Sequence, residues 1–191
     1  WRSMIEFTAG RRETTADELW CCEHPPIYTL DQAGKPEHLL HDIGIPLLKV
    51  DRGGQITYHG PGQVVIYLLV VLHRRSIKVE EFVARIEQAI IDLLFAQGLV
   101  ARRLEGAPGV YVDRGNGIAK IASLGLRIRR GCSYHGLSLN VGMDLAPFSA
   151  INPCGFAGLA VTQTRDLGIP LDAKKLSELL AVHLLRQLEI A

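Results

Sequence analysis

The chain has 191 residues, 48% of them hydrophobic and 21% charged, with a formal net charge of +1. These are the proportions of a soluble globular protein long enough for one domain with a sizeable core. So small a net charge excludes a global pull toward nucleic acid or an anionic membrane, and any anionic partner must be met by a local patch.

Trp1 to Arg12 can form a short helix with Ile5 and Phe7 available for burial. Asp17 to Glu23 and Ile27 to Leu30 read as short strands, separated where Pro25-Pro26 excludes regular pairing. Pro46 to Val50 and Gln63 to Leu72 also read as strands, the second buried on both faces because it is apolar without alternation. Its core, Val64 to Leu72, is the longest apolar run at nine residues. A membrane-spanning helix needs about 20. No stretch reads as a signal peptide, although the opening at Trp1 without a methionine leaves room for an upstream start.

Val79, Phe82, Val83, Ile86, Ile90, Leu93 and Leu94 recur at helical spacing, which predicts a helix over Val79 to Gln97 with Gly98 as its left-handed stop. Strands follow at Gly109 to Val112, Ile118 to Ala122, Leu124 to Arg130 and Tyr134 to Val141, punctuated by glycines. A last amphipathic helix runs from Ala173 to Leu188 behind Asp172 as N-cap. The order of elements predicts an α+β fold, a mixed β-sheet with helices packed on one side, in a single domain spanning 1–191.

Three stretches carry more glycine and polar residues than turns require. The first is RGGQITYHGPGQ, Arg52 to Gln63, a loop able to approach a ligand closely; it matches neither the P-loop nor the dinucleotide fingerprint. In the second, Gly117 to Gly125, Lys120 sits among apolar neighbours. A strand lysine ordinarily faces water; in a desolvated cleft it would lose its proton more easily. The third, Arg127 to Asn140, begins with arginines that read as a solvated strand edge, and its Cys132 and His135 read as structural on composition alone.

Cysteines stand at 21, 22, 132 and 154. The adjacent pair cannot easily bridge to itself, and no spacing suggests a metal site, so all four read as reduced thiols of a cytoplasmic protein. Cys154 is set apart by INPCG: Pro153 and Gly155 favour a turn that presents the thiol at a surface or cleft. A free thiol titrates near ~8.5, and a nearby ammonium or imidazolium lowers that value. Lys120, His59 and His135 are each able to supply one, and spacing does not choose among them.

The stretches RGGQITYHGPGQ, KIASLGLRI, RRGCSYHGLSLNV and FSAINPCG, with the earlier DELW, CCEHPPIYTL and DQAGKPEHLL, closely resemble the lipoyl(octanoyl) transferases over essentially the whole chain. The resemblance implies the fold of biotin and lipoate protein ligase catalytic domains. It implies transfer of an octanoyl group from acyl carrier protein to a lysine of lipoyl domains, those of 2-oxo acid dehydrogenase complexes and the glycine cleavage H protein. No cofactor, metal, nucleic acid or membrane is implied. By the same resemblance Cys154 is the nucleophile and Lys120 its partner. The acyl chain is bordered by Arg52, Gly53, Gly54, Gln55, Ile56, Thr57, Tyr58 and His59, by Ser123, Leu124 and Gly125, and by His135, Gly136, Leu137 and Ser138. One departure is Asp31, where the family usually has glycine; an aspartate is costly there if φ is positive or the acyl channel adjoins it. Two rivals share features of this reading. A lipoate or biotin ligase forms an acyl adenylate and needs no thiol, and a non-catalytic carrier-binding protein is never acylated.

Overall fold

Helix α2 (Val79–Ala96) buries Phe82, Ile86, Ile90, Leu93 and Leu94, the apolar stripe its spacing predicts. Gly98 follows at φ +82 and turns the chain away, its N–H bonded to the Phe95 carbonyl at 2.9 Å. At the start of α3 (Ala173–Leu188) the Asp172 carboxylate accepts the Lys175 N–H at 2.8 Å. The two helices pack side by side on one face of a sheet, with Leu176, Leu180, Leu184 and Leu188 inside. Each such apolar side chain contributes about 1.5–3 kcal/mol of burial.

The computed structural model describes residues 1–115 and 117–190. Its large sheet contains β1 (Glu18–Cys22), β5 (Gln63–Leu69), β6 (Ala101–Leu104), β7 (Ala107–Asp113), β8 (Ile118–Arg129) and β9 (Cys132–Asn140). Their order is β1-β5-β9-β8-β7-β6, antiparallel throughout. A second, three-stranded sheet lies in the order β3-β2-β4, with β2 (Ile27–Asp31) parallel to β3 (Leu47–Val50) and antiparallel to β4 (Thr57–His59). The fold is α+β, as expected, but its strands divide into an antiparallel sheet and a small mixed one. Helix α1 (Arg2–Gly10) lies on the other face of the large sheet from α2 and α3, where Met4 packs against Leu69 and Tyr134.

The two strand segments expected on either side of Ser123 are one strand, β8. It forms a long hairpin with β9, closed by Arg130 (φ +50) and Gly131 (φ +74), the left-handed pair that a two-residue hairpin turn requires. Arg130 is thus a turn residue. Pairing of β5 with β9 runs from Gln63 opposite Asn140 to Tyr67 opposite Gly136, is interrupted at His135 (φ +60), and resumes where Ser133 N–H bonds the Val70 carbonyl and Val71 pairs with Cys132. A Cβ on Gly136 would stand 2.0 Å from the Ile66 carbonyl oxygen, so only glycine permits this close strand approach. Among the described residues no helix is long and apolar enough to cross a membrane.

Candidate active site

Between the two sheets runs a largely apolar tunnel of about 160 Å³. Its floor is the sheet face turned away from α2 and α3. There Val65, Ser138 and Ser123 stand in one register row, and Tyr67, Gly136 and Gly125 in the next. Ile27, Thr29, Leu48, Val50, Thr57 and His59 of the small sheet line the other side. Cys154 stands in the lining as well.

Cys154 occupies a short 3₁₀ turn, Pro153–Gly155, with φ +56 and ψ +19. A left-handed conformation in a non-glycine residue costs about 1–3 kcal/mol and is kept only where surrounding contacts fix it. Here the Cys154 N–H is bonded to the Ile56 carbonyl at 3.0 Å, and the Gly155 N–H to the Asn152 carbonyl at 2.9 Å. Lys120 is 2% exposed, and its Nζ donates to Cys154 Sγ at 3.3 Å and to the Pro108 carbonyl at 3.0 Å. The Tyr111 ring lies 5.1 Å away on the same ammonium. Room for the lysine comes from Gly109 (φ +131), where a Cβ would stand 3.1 Å from Nζ. The backbone of Lys120 is held too, its N–H on the Ala160 carbonyl and its carbonyl on the Thr162 N–H. Lys120 does not face water.

Of Lys120, His59 and His135, it is Lys120 that contacts the thiol, while the two imidazoles bond elsewhere. Gln63 Nε2 donates to the Tyr58 carbonyl and to Asn140 Oδ1, so its Oε1 accepts His59 Nδ1–H at 2.7 Å. Burial pushes His59 down to about 4, aided by the charges of Arg52, His24 and His135, so the ring is neutral at pH 7. His135 donates Nε2–H to Asp51 at 3.0 Å. Burial pushes its titration below the ordinary value against the pull of that carboxylate. Burial opposes ionisation of Asp51, but hydrogen bonds from His135, Tyr134 and Trp1 outweigh it and bring the carboxyl to about 2. Both imidazoles are therefore engaged elsewhere.

Arg52 is 8% exposed and spends its guanidinium on the chain around it. It donates to the Thr29 carbonyl at 2.5 Å, the Gln55 carbonyl at 2.8 Å, the Gly53 carbonyl at 3.0 Å and the Thr29 hydroxyl. Burial pushes its titration down, while the nearby Cys154 and Asp31 pull it up. A guanidinium remains charged through such shifts, so Arg52 adds positive potential at the thiol.

Of the residues expected to border the acyl chain, Arg52, Gly54, Gln55, Thr57, His59, Ser123, Leu124, Gly125, His135, Gly136, Leu137 and Ser138 line the tunnel. Ile56 and Tyr58 do not, because alternation in β4 turns them to the opposite face, where they pack with Tyr28 and Phe148. Gly53 is also outside the lining, its N–H tied to the Leu126 carbonyl at 2.8 Å. Met4, His24, Ile27, Thr29, Leu48, Val50, Val65 and Tyr67 line the tunnel without having been expected. Asp31 ends β2 opposite Val50, has no positive φ and stays out of the tunnel lining, so aspartate meets neither condition that would make it costly. Arg103 is bound to Glu87, the Ala84 carbonyl and Gln88. Arg129 and Arg130 line a separate cavity with Arg11, Arg12 and Arg74.

The fold is that of the catalytic domains of lipoate and biotin protein ligases. A bipartite lipoate protein ligase from Thermoplasma acidophilum superposes with a TM-score of 0.78 at 17% identity, over 99% of this chain and 77% of that one. The biotin protein ligase of Aquifex aeolicus gives 0.54 at 11% identity, over 88% and 70%. Likeness at such identities shows the fold alone. The sequence is much closer to the octanoyltransferases of Dechloromonas aromatica, at 65% identity over 99% of this chain and 90% of that protein, and Azoarcus sp., at 61% over 98% and 82%. The lipoyl protein ligase A/B catalytic domain model matches residues 4–185, and the chain belongs to that family as an acyltransferase of the octanoyltransferase type.

Proposed function

We propose that this enzyme takes an octanoyl group from the thioester of acyl carrier protein onto Cys154 and passes it to a lysine of a lipoyl domain. The observation that carries the reading is Lys120 Nζ, buried and 3.3 Å from Cys154 Sγ beside the apolar tunnel. A charge pair at that distance attracts by about 5 kcal/mol at an effective dielectric near 20, which favours thiolate with ammonium over the neutral pair.

In the first half-reaction Sγ attacks the thioester carbonyl, the carbon–sulfur bond to the carrier breaks, and the departing thiolate takes a proton from Lys120. In the second the acceptor amine attacks the Cys154 thioester and gives its proton to the now neutral Lys120, and the Cys154 thiolate leaves. The lysine ends as it began. Thioester exchange is nearly balanced and amide formation from a thioester is downhill, so no nucleotide is required. The tunnel holds the octanoyl tail, each buried methylene contributing about 0.8 kcal/mol. Turnover of octanoyl-acyl carrier protein with a purified lipoyl domain should proceed without ATP. Strict ATP dependence, with free octanoate as the donor, would assign the protein to the ligases instead.

A further inference from the structure

An acyl transfer through Cys154 builds negative charge on the carbonyl oxygen, and the nucleophile turn has no backbone donor left for it. The N–H groups of Cys154, Gly155 and Phe156 are bonded to the carbonyls of Ile56, Asn152 and Pro153. Another donor must stand nearby. His38 lies outside the tunnel lining, at the end of the short 3₁₀ turn Pro36–His38. Its carbonyl accepts the Asn152 N–H at 2.8 Å, and Leu39 pairs with Ile151. Its Nε2 is 3.4 Å from where a Cβ on Gly155 would stand, so the absent side chain leaves the ring facing the nucleophile turn. Its Nδ1 is buried without a hydrogen-bond partner. An orphaned buried N–H is rarer than an orphaned lone pair, which assigns the N–H to Nε2.

We propose that His38 is a catalytic residue that donates its Nε2–H to the oxyanion formed on the acyl group at Cys154, in both half-reactions. The assignment rests on Cys154 being the acylated thiol. As the sulfur attacks, the carbonyl π pair moves to oxygen and the hydrogen bond strengthens; as the leaving group departs the pair returns, and His38 keeps its proton throughout. Gln55 adjoins the same glycine, its Cγ 3.0 Å from the same point, and its Oε1 accepts the Lys35 N–H, which leaves its amide nitrogen as a second donor.

Displacement of iodide from iodoacetamide by a thiolate forms no oxyanion, and this separates the proposal from a structural role. Single-turnover acylation by the small octanoyl thioester of N-acetylcysteamine is followed by quenched intact mass, beside alkylation by iodoacetamide at the same pH. His38→Ala should slow acylation about 10²-fold, the scale of losing one oxyanion donor, and leave alkylation unchanged. His38→Gln, which keeps an N–H, should recover part of the loss. Equal slowing of both reactions would show that His38 merely positions the thiol, and no slowing of acylation would show that it does not act at all; either overturns the proposal. Failure of the unaltered protein to gain an octanoyl group on Cys154 would count against the thioester reading itself, a distinguishable result.

Discussion

On strands β5 and β9 alternate residues face α2 and α3, and the ones between them face the small sheet. The first set, Val64, Ile66, Leu68, Leu137 and Leu139, packs with Phe82, Ile86, Ile90 and Leu180 into the main core. In the second set, Val65, Tyr67, Gly136 and Ser138 floor the tunnel, and Lys120 stands beside Cys154 on the neighbouring strand. The same backbone carries both faces at a period of two. One face is filled with branched apolar side chains and stabilises the fold; the other is hollowed by glycine and serine and kept polar in a few places. Stability and chemistry therefore fall on separable residues, and substitutions should sort accordingly.

The largest expected effect is on the hollow face. Lys120→Met keeps the volume and the apolar surroundings, so the fold should persist, while octanoyl transfer should fall by about 10²–10⁴-fold, the range of a lost acid–base group. The pH at which Cys154 reacts with iodoacetamide should rise in this variant; an unchanged profile would show that Lys120 does not activate the thiol. On the filled face, Phe82→Ala should cost about 3–5 kcal/mol in urea unfolding while activity per folded molecule stays near normal.

A pH effect comes next. His59 titrates near 4 in the fold against an ordinary value of 6.5. Between those values the unfolded chain binds a proton that the folded chain refuses, so stability is present above 6.5 and is lost as pH falls toward 4. The loss is at most about 3 kcal/mol, less because the ring is partly exposed, and His59→Gln should flatten that part of the urea-stability profile. Gly125→Ala is smaller again in stability. Its Cβ would stand 2.9 Å from Arg52 Cδ and from the Gly53 carbonyl, and so should displace the loop over the tunnel. About 1–2 kcal/mol of stability should go, with a larger fractional loss of transferase activity than of folded protein, measured by melting and turnover together.

Much of this architecture was legible because some signals are local. The helical period of Val79 to Leu94, the cap at Asp172 and the unbroken apolar run of β5 need no partner to be read. Thr57–His59 and Ala101–Leu104 were missed because a three- or four-residue strand has no period of its own and exists only through pairing with β2 or β7. β8 was divided into two strands on either side of Ser123; in the folded chain Ser123 pairs with Ser138 and opens the tunnel floor. At the site, the INPCG turn and Lys120 stood out in the sequence, but their 3.3 Å contact joins residues 34 positions apart. His24, Thr29 and Tyr67 reach the tunnel through sheet register that no single segment encodes.

The central claim is a covalent one, and intact-mass measurement tests it most directly. Mixed with octanoyl-acyl carrier protein and no acceptor, the protein should gain one octanoyl group, removable by hydroxylamine and absent from Cys154→Ser. Peptide mapping should place the group on Cys154. Contradiction would come from an unmodified protein that nevertheless octanoylates a lipoyl domain, or from a label on Cys21, Cys22 or Cys132 with Cys154 free.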